Sequence, residues 1–369
     1  MTEKQPSYGV AAHPGYSPAA RDIAKGIVDP MVRIETVEMH TGGEPVRIIA
    51  AGYPTILGET LLDKRRDAQT RLDAYRRFVM WEPRGHFDMY GVLPVPPDDP
   101  AAEMAVLFIH NEGYSTMCGH ATIALGRYAV DQGLVQMENG IGRLNLQCPC
   151  GLVEVTMRTA YDAAGRERPG SVSFISVPAF AFALDCRVEV PGLGSVTLDI
   201  GYGGAYYAFL PASRFNLDVR RSPTRDLVAA ATAVSDAVRA QVILDHPESA
   251  DLAFLYGTIL TDGADAYDAE TPSANICVFA EREVDRSPTG SGVTARIALQ
   301  MARGQIELGQ LRRFESVTGS EFTARAVAEL RYGRFSAVRV EVTGQAYYTG
   351  RSLFTVEADD PLAGGFLLR

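Results

Sequence analysis

The sequence has little cysteine, no excess of positive charge and no long hydrophobic run. Its 369 residues include 35 lysines and arginines against 45 aspartates and glutamates, which gives a formal net charge of −10. Because a phosphate backbone attracts positive charge, this balance argues against a nucleic-acid-binding protein. The longest dense apolar run, 104–109, is far too short to cross a bilayer. Neither nucleic acid nor a membrane is therefore expected as a partner.

The five cysteines are too few, and odd in number, for a disulfide framework. They predict a reducing environment and a cytoplasmic location. Cys148 and Cys150 form a C-x-C pattern rather than the zinc-type C-x-x-C, and the six histidines show no H-E-x-x-H pattern, so no metal site is predicted. The glycine-rich segment 201–204 does not continue as G-x-G-x-x-G, so nucleotide binding is not supported.

The first 30 residues differ in composition from the rest of the chain. They contain four prolines and no apolar period. This composition predicts a mobile N-terminal arm. The alternative is an arm that packs on a partner subunit, which leaves a homodimer open.

The rest of the chain contains two halves with the same predicted order of elements: strand, helix, strand, glycine turn and helix. A length of 369 residues already favours two lobes over one core. In the first half, period-2 and helical patterns predict strands at 32–39, 46–53 and 104–110 and helices at 59–79 and 121–131. In the second half they predict strands at 205–210 and 276–280, a helix capped by Ser222 with Pro223 in its first position, and a helix running towards Gly304.

The last elements of the two halves align without a gap at an offset of 171 residues. Cys118 then corresponds to Thr289, and Gly119 to Gly290. We therefore predict two related α/β lobes, 31–183 and 184–349, preceded by the arm 1–30; whether 350–369 completes the first lobe stays open. Each lobe would place a Cys-Gly or Thr-Gly pair at a helix N-terminus that faces a shared cleft.

Cys118 is the candidate catalytic base. Helix N-terminal amides lower the pKa of a thiol, and an imidazolium at His120 would do the same. A thiolate in this place would be a nucleophile or a general base. The alternative is a small buried structural cysteine.

The helix starts also suit a bound carboxylate. Free amides at Gly119, His120, Gly290 and Ser291 would hold it from two sides. Asp285 would accept hydrogen bonds from a cationic amine, unless it only forms a turn with nearby backbone. Carboxylate-binding amides, an amine-binding carboxylate and a thiolate together describe an amino acid held for removal of its α-proton.

Four separated motifs carry a resemblance to a known family. They are 40–45 (HTGGEP), 85–91 (GHFDMYG), 117–120 (MCGH) and 285–292 (DRSPTGSG). In this order they resemble the proline racemase family, within the broader group similar to diaminopimelate epimerase. The resemblance implies an α/β (α+β) fold of two pseudo-symmetric lobes. Each lobe would be a curved, mostly antiparallel sheet around a central helix, with the active site between lobes and with neither metal nor organic cofactor.

The sequence departs from the racemase pattern at one position. A racemase of this family uses two cysteines, one on each face of the α-carbon, whereas here Cys118 is paired with Thr289. A threonine hydroxyl is too weak an acid to be the opposed base. The pair resembles the branch that dehydrates trans-3-hydroxy-L-proline to Δ2-pyrroline-2-carboxylate, with Cys118 as base and Thr289 as hydrogen-bond donor to the leaving hydroxyl or to a water. The alternatives are a proline or hydroxyproline racemase or epimerase, and a non-catalytic protein that binds a cyclic amino acid.

Overall fold

The protein is strand-rich, with two long stretches of paired strands. The computed structural model describes residues 32–264, 271–357 and 359–368, so the predicted arm, 1–30, lies outside the described residues. The strands of the first half are β1 (Arg33–Thr41), β2 (Glu44–Ala51), β3 (Gly91–Val95), β4 (Met104–Ile109), β5 (Tyr114–Ser115), β6 (Ile141–Cys148), β7 (Gly151–Tyr161) and β8 (Glu167–Ile175). The later strands are β9 (Ala179–Val190), β10 (Gly194–Tyr202), β11 (Tyr206–Pro211), β12 (Leu255–Thr261), β13 (Ser273–Phe279), β14 (Glu283–Asp285), β15 (Arg312–Glu315), β16 (Glu321–Tyr332), β17 (Phe335–Gly344) and β18 (Ala346–Thr355).

Five α-helices and two short 3-10 helices accompany these strands within the described residues. The α-helices are α1 (Leu61–Arg71), α2 (Asp73–Met80), α3 (Gly119–Asp131), α4 (Thr224–Gln241) and α5 (Gly290–Ala302). The 3-10 helices are Ala212–Phe215 and Ala250–Leu252. None of the helices in the described part of the chain has the length and apolar character needed to cross a membrane.

The two halves repeat the same strand pairing. In the first lobe β1 pairs antiparallel with β18 and β2, β2 pairs parallel with β3, β3 antiparallel with β4, and β4 parallel with β6, after which β6, β7 and β8 form an antiparallel meander. In the second lobe β10 pairs antiparallel with β9 and β11, β11 parallel with β12, β12 antiparallel with β13, and β13 parallel with β15, after which β15, β16 and β17 form the meander. The predicted pseudo-symmetry and fold class are confirmed. The last strand, β18, pairs with the first.

Each lobe wraps its sheet around one helix. Helix α3 packs against β1, β7, β8 and β18, and α5 packs against β9, β10, β16 and β17. Helix α3 is buried over most of its length, and all residues of α5 from Gly290 to Gln300 are buried. A helix that is buried on every side lies inside a core, and the strands of each lobe hold these helices there.

The two central helices meet at their N-termini. Gly119 and Gly290 approach so closely that a Cβ on Gly290 would lie 2.6 Å from the Cα of Gly119. Only glycine permits this approach, because any side chain would press on backbone that has no room to shift. Gly119 and Gly290, which the offset of 171 residues aligns in the sequence, therefore contact each other directly between the lobes.

Two details of the predicted helices are wrong. The helix expected at 59–79 is two helices, because Leu72 leaves helical dihedral angles between α1 and α2; the turn buries both Leu72 and Phe78. Helix α4 is capped at Pro223 without a side-chain hydrogen bond, while the Ser222 hydroxyl accepts from the amide of Asp218. A single periodic pattern carries no information about where such a break falls.

The close approach of the helix starts predicts a steric effect on stability. We expect Gly290→Ala to lower the free energy of unfolding by about 1–3 kcal/mol, because the added methyl overpacks the backbone of Gly119. Gly113→Ala is the control, since a Cβ there meets no atom within 4 Å, and it should change stability by less than about 0.5 kcal/mol. Guanidinium unfolding of the full chain measures both, and equal losses would contradict the assigned contact.

Candidate active site

Cys118 occupies the N-cap of α3, directly after the short strand β5. Its sulfur accepts a hydrogen bond from the amide of Ala121 at 3.4 Å, and the residue is 4% exposed. The Nδ1 atom of His120 lies 3.1 Å from the same sulfur. The thiol is therefore held by the first turn of the helix and by one imidazole.

The predicted ionisation of this thiol is wrong. Burial raises the pKa of Cys118 well above its ordinary value, the charge of Asp285 raises it too, and the Ala121 amide opposes them. Burial likewise lowers the pKa of His120, so its ring is a neutral imidazole rather than an imidazolium. The neutral thiol is favoured because the loss of water around the sulfur outweighs the helix amides.

Thr289 occupies the equivalent N-cap of α5. Its backbone is left-handed, with φ 68° and ψ 89°, and its side chain does not cap the helix. The hydroxyl is buried and makes no hydrogen bond of ordinary geometry to the described residues. It lies beside the Cys277 thiol. Burial and the charge of Asp285 raise the pKa of this thiol, whereas the Thr289 hydroxyl lowers it. A β-branched residue in this conformation costs about 1–3 kcal/mol, so its surroundings must hold it.

Asp285 ends β14 and turns one carboxylate oxygen to the backbone and the other towards the first lobe. Oδ1 accepts from the amide of Ser287 at 2.7 Å, and Oδ2 lies 3.8 Å from Nδ1 of His120. The two predicted roles of Asp285, turn former and site carboxylate, therefore use different oxygens of one side chain.

All seven predicted site residues line one cavity between the lobes. They are Cys118, Gly119, His120, Asp285, Thr289, Gly290 and Ser291. The free volume of the cavity is about 10 Å³, which is room for about one water molecule. This space is smaller than a cyclic amino acid, and we refer to this tightly packed arrangement of the two lobes as the closed form.

Five further residues line the cavity and were missed at the sequence level: Tyr90, Met117, Tyr207, Tyr256 and Phe279. Tyr207 hydrogen-bonds the Ser291 hydroxyl at 2.7 Å, and Tyr256 stacks on Phe279 with ring centroids 5.2 Å apart. Tyr90 belongs to the motif at 85–91 and Met117 to the motif at 117–120, which were the available signals. The others sit on strands or beside the site cysteine, where an apolar run does not reveal the cavity side.

Charged groups of the first lobe clamp the segment that carries Asp285. The amide of Arg286 donates to Glu44 at 2.6 Å, its guanidinium pairs with Asp88 at 2.7 Å, and the amide of Val284 donates to Asp88 at 3.0 Å. Burial, followed by the charge of Asp285, raises the pKa of Glu44 well above its usual range. The clamp fixes the Asp285 carboxylate against the first lobe in the closed form.

A second buried pair lies beside this clamp. Glu283 Oε1 is 3.2 Å from Nδ1 of His110, and that nitrogen also accepts from the amide of Glu112 at 3.3 Å. Burial, together with the charges of Arg76 and Arg65, lowers the pKa of His110 to about 3. Burial raises the pKa of Glu283 well above its usual range. The two shifts favour the neutral imidazole of His110 and the protonated carboxyl of Glu283.

Among the described residues, no group of three or more histidine, cysteine, aspartate or glutamate side chains is arranged to hold a metal ion. The polar groups of the cavity instead match the two ends of an amino acid.

Comparison with known proteins shows which family the chain belongs to. The family described as "Proline racemase" matches residues 36–367. The chain belongs to the proline racemase family. Among its curated relatives, the trans-L-3-hydroxyproline dehydratase of Xenopus tropicalis is 59% identical, over 91% of this chain and 95% of the relative. The human trans-3-hydroxy-L-proline dehydratase is 58% identical over the same shares.

Solved structures of the proline racemase family share the fold. A probable proline racemase from Agrobacterium radiobacter K84, crystallised with bound carbonate, superposes with a TM-score of 0.83 at 27% identity. The match covers 91% of this chain and 96% of that one. The two-lobed architecture is thus the architecture of the family.

The neutral His110 predicts a specific acid sensitivity. Its folded pKa is about 3 and its unfolded value about 6.5, so between these pH values the unfolded chain binds a proton that the folded chain does not. The contribution of His110 to stability therefore falls as pH drops through this window. His110→Gln cannot take up the proton, and between pH 7 and pH 4 it should lose less unfolding free energy than the parent, by more than about 1 kcal/mol. Urea titrations at each pH measure this; parallel losses would contradict a neutral His110.

Proposed function

We propose that this protein dehydrates trans-3-hydroxy-L-proline to Δ2-pyrroline-2-carboxylate without a cofactor. The observation that carries the proposal is the pair of N-cap residues in one closed cavity, Cys118 on one lobe and Thr289 on the other. Relatives at 58–59% identity bear the names of trans-3-hydroxy-L-proline dehydratases. The chemistry of the cavity supports the same reaction, step by step.

The carboxylate of the substrate binds to the two helix starts. The amides of Gly119, His120, Gly290 and Ser291 belong to the first turns of α3 and α5, where amides lack partners within the helix. Two helix dipoles point their positive ends at the same place, so a single anion is stabilised from both lobes. As the α-carbon loses its proton, negative charge spreads into this carboxylate, and the same amides stabilise it more strongly.

The ammonium group of the substrate binds beside Asp285. Its free oxygen, Oδ2, and the neutral ring of His120 both accept hydrogen bonds, and the two groups lie 3.8 Å apart. The bound cation also neutralises the charge of Asp285, which is one of the causes that raise the pKa of Cys118. Substrate binding therefore makes the thiolate easier to form: the thiol releases its proton to water as the substrate binds, and Cys118 gains its basicity only then.

Cys118 removes the α-proton, and nothing on the opposite face returns one. The Thr289 hydroxyl is not ionised near neutral pH, so it cannot act as a second base. Cys277, the thiol next to Thr289, is fully buried on β13 and does not line the cavity. The carbanion is then consumed by expulsion of the neighbouring hydroxyl, which forms a double bond between the α-carbon and C3. A racemase would need an ionisable group where Thr289 stands.

The cysteines also support the proposal of a cytoplasmic location. All five are free thiols: Cys118, Cys148, Cys150, Cys186 and Cys277. Unpaired thiols persist where the environment is reducing.

Loss of the thiol should abolish the reaction. We expect Cys118→Ser to lower kcat/KM for trans-3-hydroxy-L-proline by about a thousandfold or more, because a serine hydroxyl does not ionise at neutral pH. Trapping of the product imine measures the rate. Cys186→Ser is the matched control, since Cys186 lies on β9 away from the cavity, and it should keep full activity. Full activity in Cys118→Ser would falsify the proposed base.

Introducing a second thiol at position 289 should allow inversion of configuration at the α-carbon. We expect Thr289→Cys to bring epimerisation at the α-carbon, seen by NMR in deuterated water as the cis isomer with deuterium at that carbon. Thr289→Ser keeps a hydroxyl and should show none. Inversion by the parent enzyme itself would instead favour the epimerase alternative.

A further inference from the structure

Two buried phenols in the cavity have no part in the steps above. Tyr90 and Tyr256 both line the cavity and are 1% and 7% exposed. Neither phenol oxygen makes a hydrogen bond of ordinary geometry to another described residue. Only weaker contacts join the two hydroxyls to Ser115 and to each other, and the Tyr90 hydroxyl to the Cys118 sulfur. A buried hydroxyl without a well-formed hydrogen bond costs about 1–3 kcal/mol, so two of them in one small cavity favour a polar group of the substrate as their partner.

Both phenols lie on the Cys118 side of the cavity. The ring of Tyr90 meets His120 edge to face at 4.8 Å. Burial and then the Ala121 amide are the leading influences on the pKa of Cys118, and the Tyr90 hydroxyl lowers it by hydrogen bonding. Tyr256 interacts with both Tyr90 and Cys118. The sulfur and the two hydroxyls therefore form one cluster.

The stereochemistry of the substrate decides where its leaving group lies. In trans-3-hydroxy-L-proline the hydroxyl is on the ring face opposite the carboxylate. The α-hydrogen is also on the face opposite the carboxylate. The base that removes this hydrogen and the hydroxyl that departs are therefore on the same face, and the elimination is syn. Since Cys118 removes the hydrogen, the hydroxyl points towards the Cys118 side and not towards Thr289.

We propose that Tyr90 is the general acid for the departing 3-hydroxyl and that Tyr256 positions it. This inference rests on the proposed dehydratase function and replaces Thr289 as the donor to the leaving group. On this proposal the donor to the leaving hydroxyl is Tyr90 rather than Thr289, which belongs to the helix start of the other lobe.

The proton balance closes within the cluster. The Cys118 thiolate takes the α-proton and becomes a thiol. The electron pair of the broken C–H bond forms the double bond between the α-carbon and C3 as the C3–O bond breaks, and the oxygen leaves with the Tyr90 proton as water. The Tyr90 phenolate then recovers a proton from the Cys118 thiol, which regenerates the thiolate.

The environment of Tyr90 fits an acid that must be protonated at rest. Burial raises the pKa of its phenol well above the ordinary value, and the neighbouring Cys118 and Tyr256 raise it further. The phenol is therefore neutral at rest, as a general acid must be before the leaving oxygen develops charge.

The test uses Tyr90→Phe in deuterated water. We expect kcat for dehydration of trans-3-hydroxy-L-proline to fall about a hundredfold, while the recovered substrate gains deuterium at its α-carbon. The carbanion still forms, but it returns to substrate because the hydroxyl departs slowly. With trans-3-fluoro-L-proline, whose fluoride leaves with less help from an acid, the loss should be below about tenfold.

The matched control is Tyr202→Phe. Tyr202 also carries a buried hydroxyl without a hydrogen bond of ordinary geometry, but it packs against Phe180 outside the cavity. It should behave as the parent does. Unchanged dehydration by Tyr90→Phe overturns the proposal, and so does an equal loss on both substrates without deuterium uptake, which would mark a structural role. Failure of the parent enzyme to dehydrate the substrate overturns the proposed function together with it.

Discussion

The contact between the N-termini of two buried helices is the constraint on which the rest of the structure depends. Each lobe wraps a sheet around an apolar helix, and the closed form brings those helices together at Gly119 and Gly290. First-turn amides, which lack partners within their helices, converge there, and in the proposed function they form the anion site. The N-cap residues, Cys118 and Thr289, would then lie on opposite sides of the bound anion. The fold, the binding site and the stereochemistry of the reaction all depend on this one contact between the helix N-termini.

The buried charges and dipoles of the closed cavity have matching partners only when a zwitterion is bound. Glu44 and Asp285 are buried carboxylates beside a thiol, and burial works against the ionisation of Glu44 and Cys118. In the proposed function an amino acid brings a carboxylate to the helix amides and an ammonium to Asp285, and it would supply both missing charges at once. Because the lobes then exclude water, each of these interactions is stronger than it would be in an open cleft. Substrate binding in this way lowers the free-energy cost of ionising Cys118.

Sequence reasoning predicted the architecture and the polar part of the site, because both leave local signals. The offset that aligns Cys118 with Thr289 identified the helix starts, and all seven predicted residues line the cavity. It missed Tyr256 and Phe279, since a strand buried on both faces reads as one apolar run whichever side faces the cavity. It placed the pKa of Cys118 on the wrong side of its ordinary value. Helix amides are visible in a sequence pattern, whereas the depth of burial that outweighs them is not.

The exchange of a thiol for a hydroxyl at position 289 changes the reaction without changing the scaffold. The Thr289 side chain fills its place in a strained left-handed backbone, next to Cys277, and it denies the carbanion a proton from that face. The carbanion then has two fates, return to the original substrate or loss of a group from C3. A syn-disposed hydroxyl near Tyr90 favours the second. Loss of one base therefore suffices to end inversion, but productive dehydration also needs an acid on the face of the remaining base.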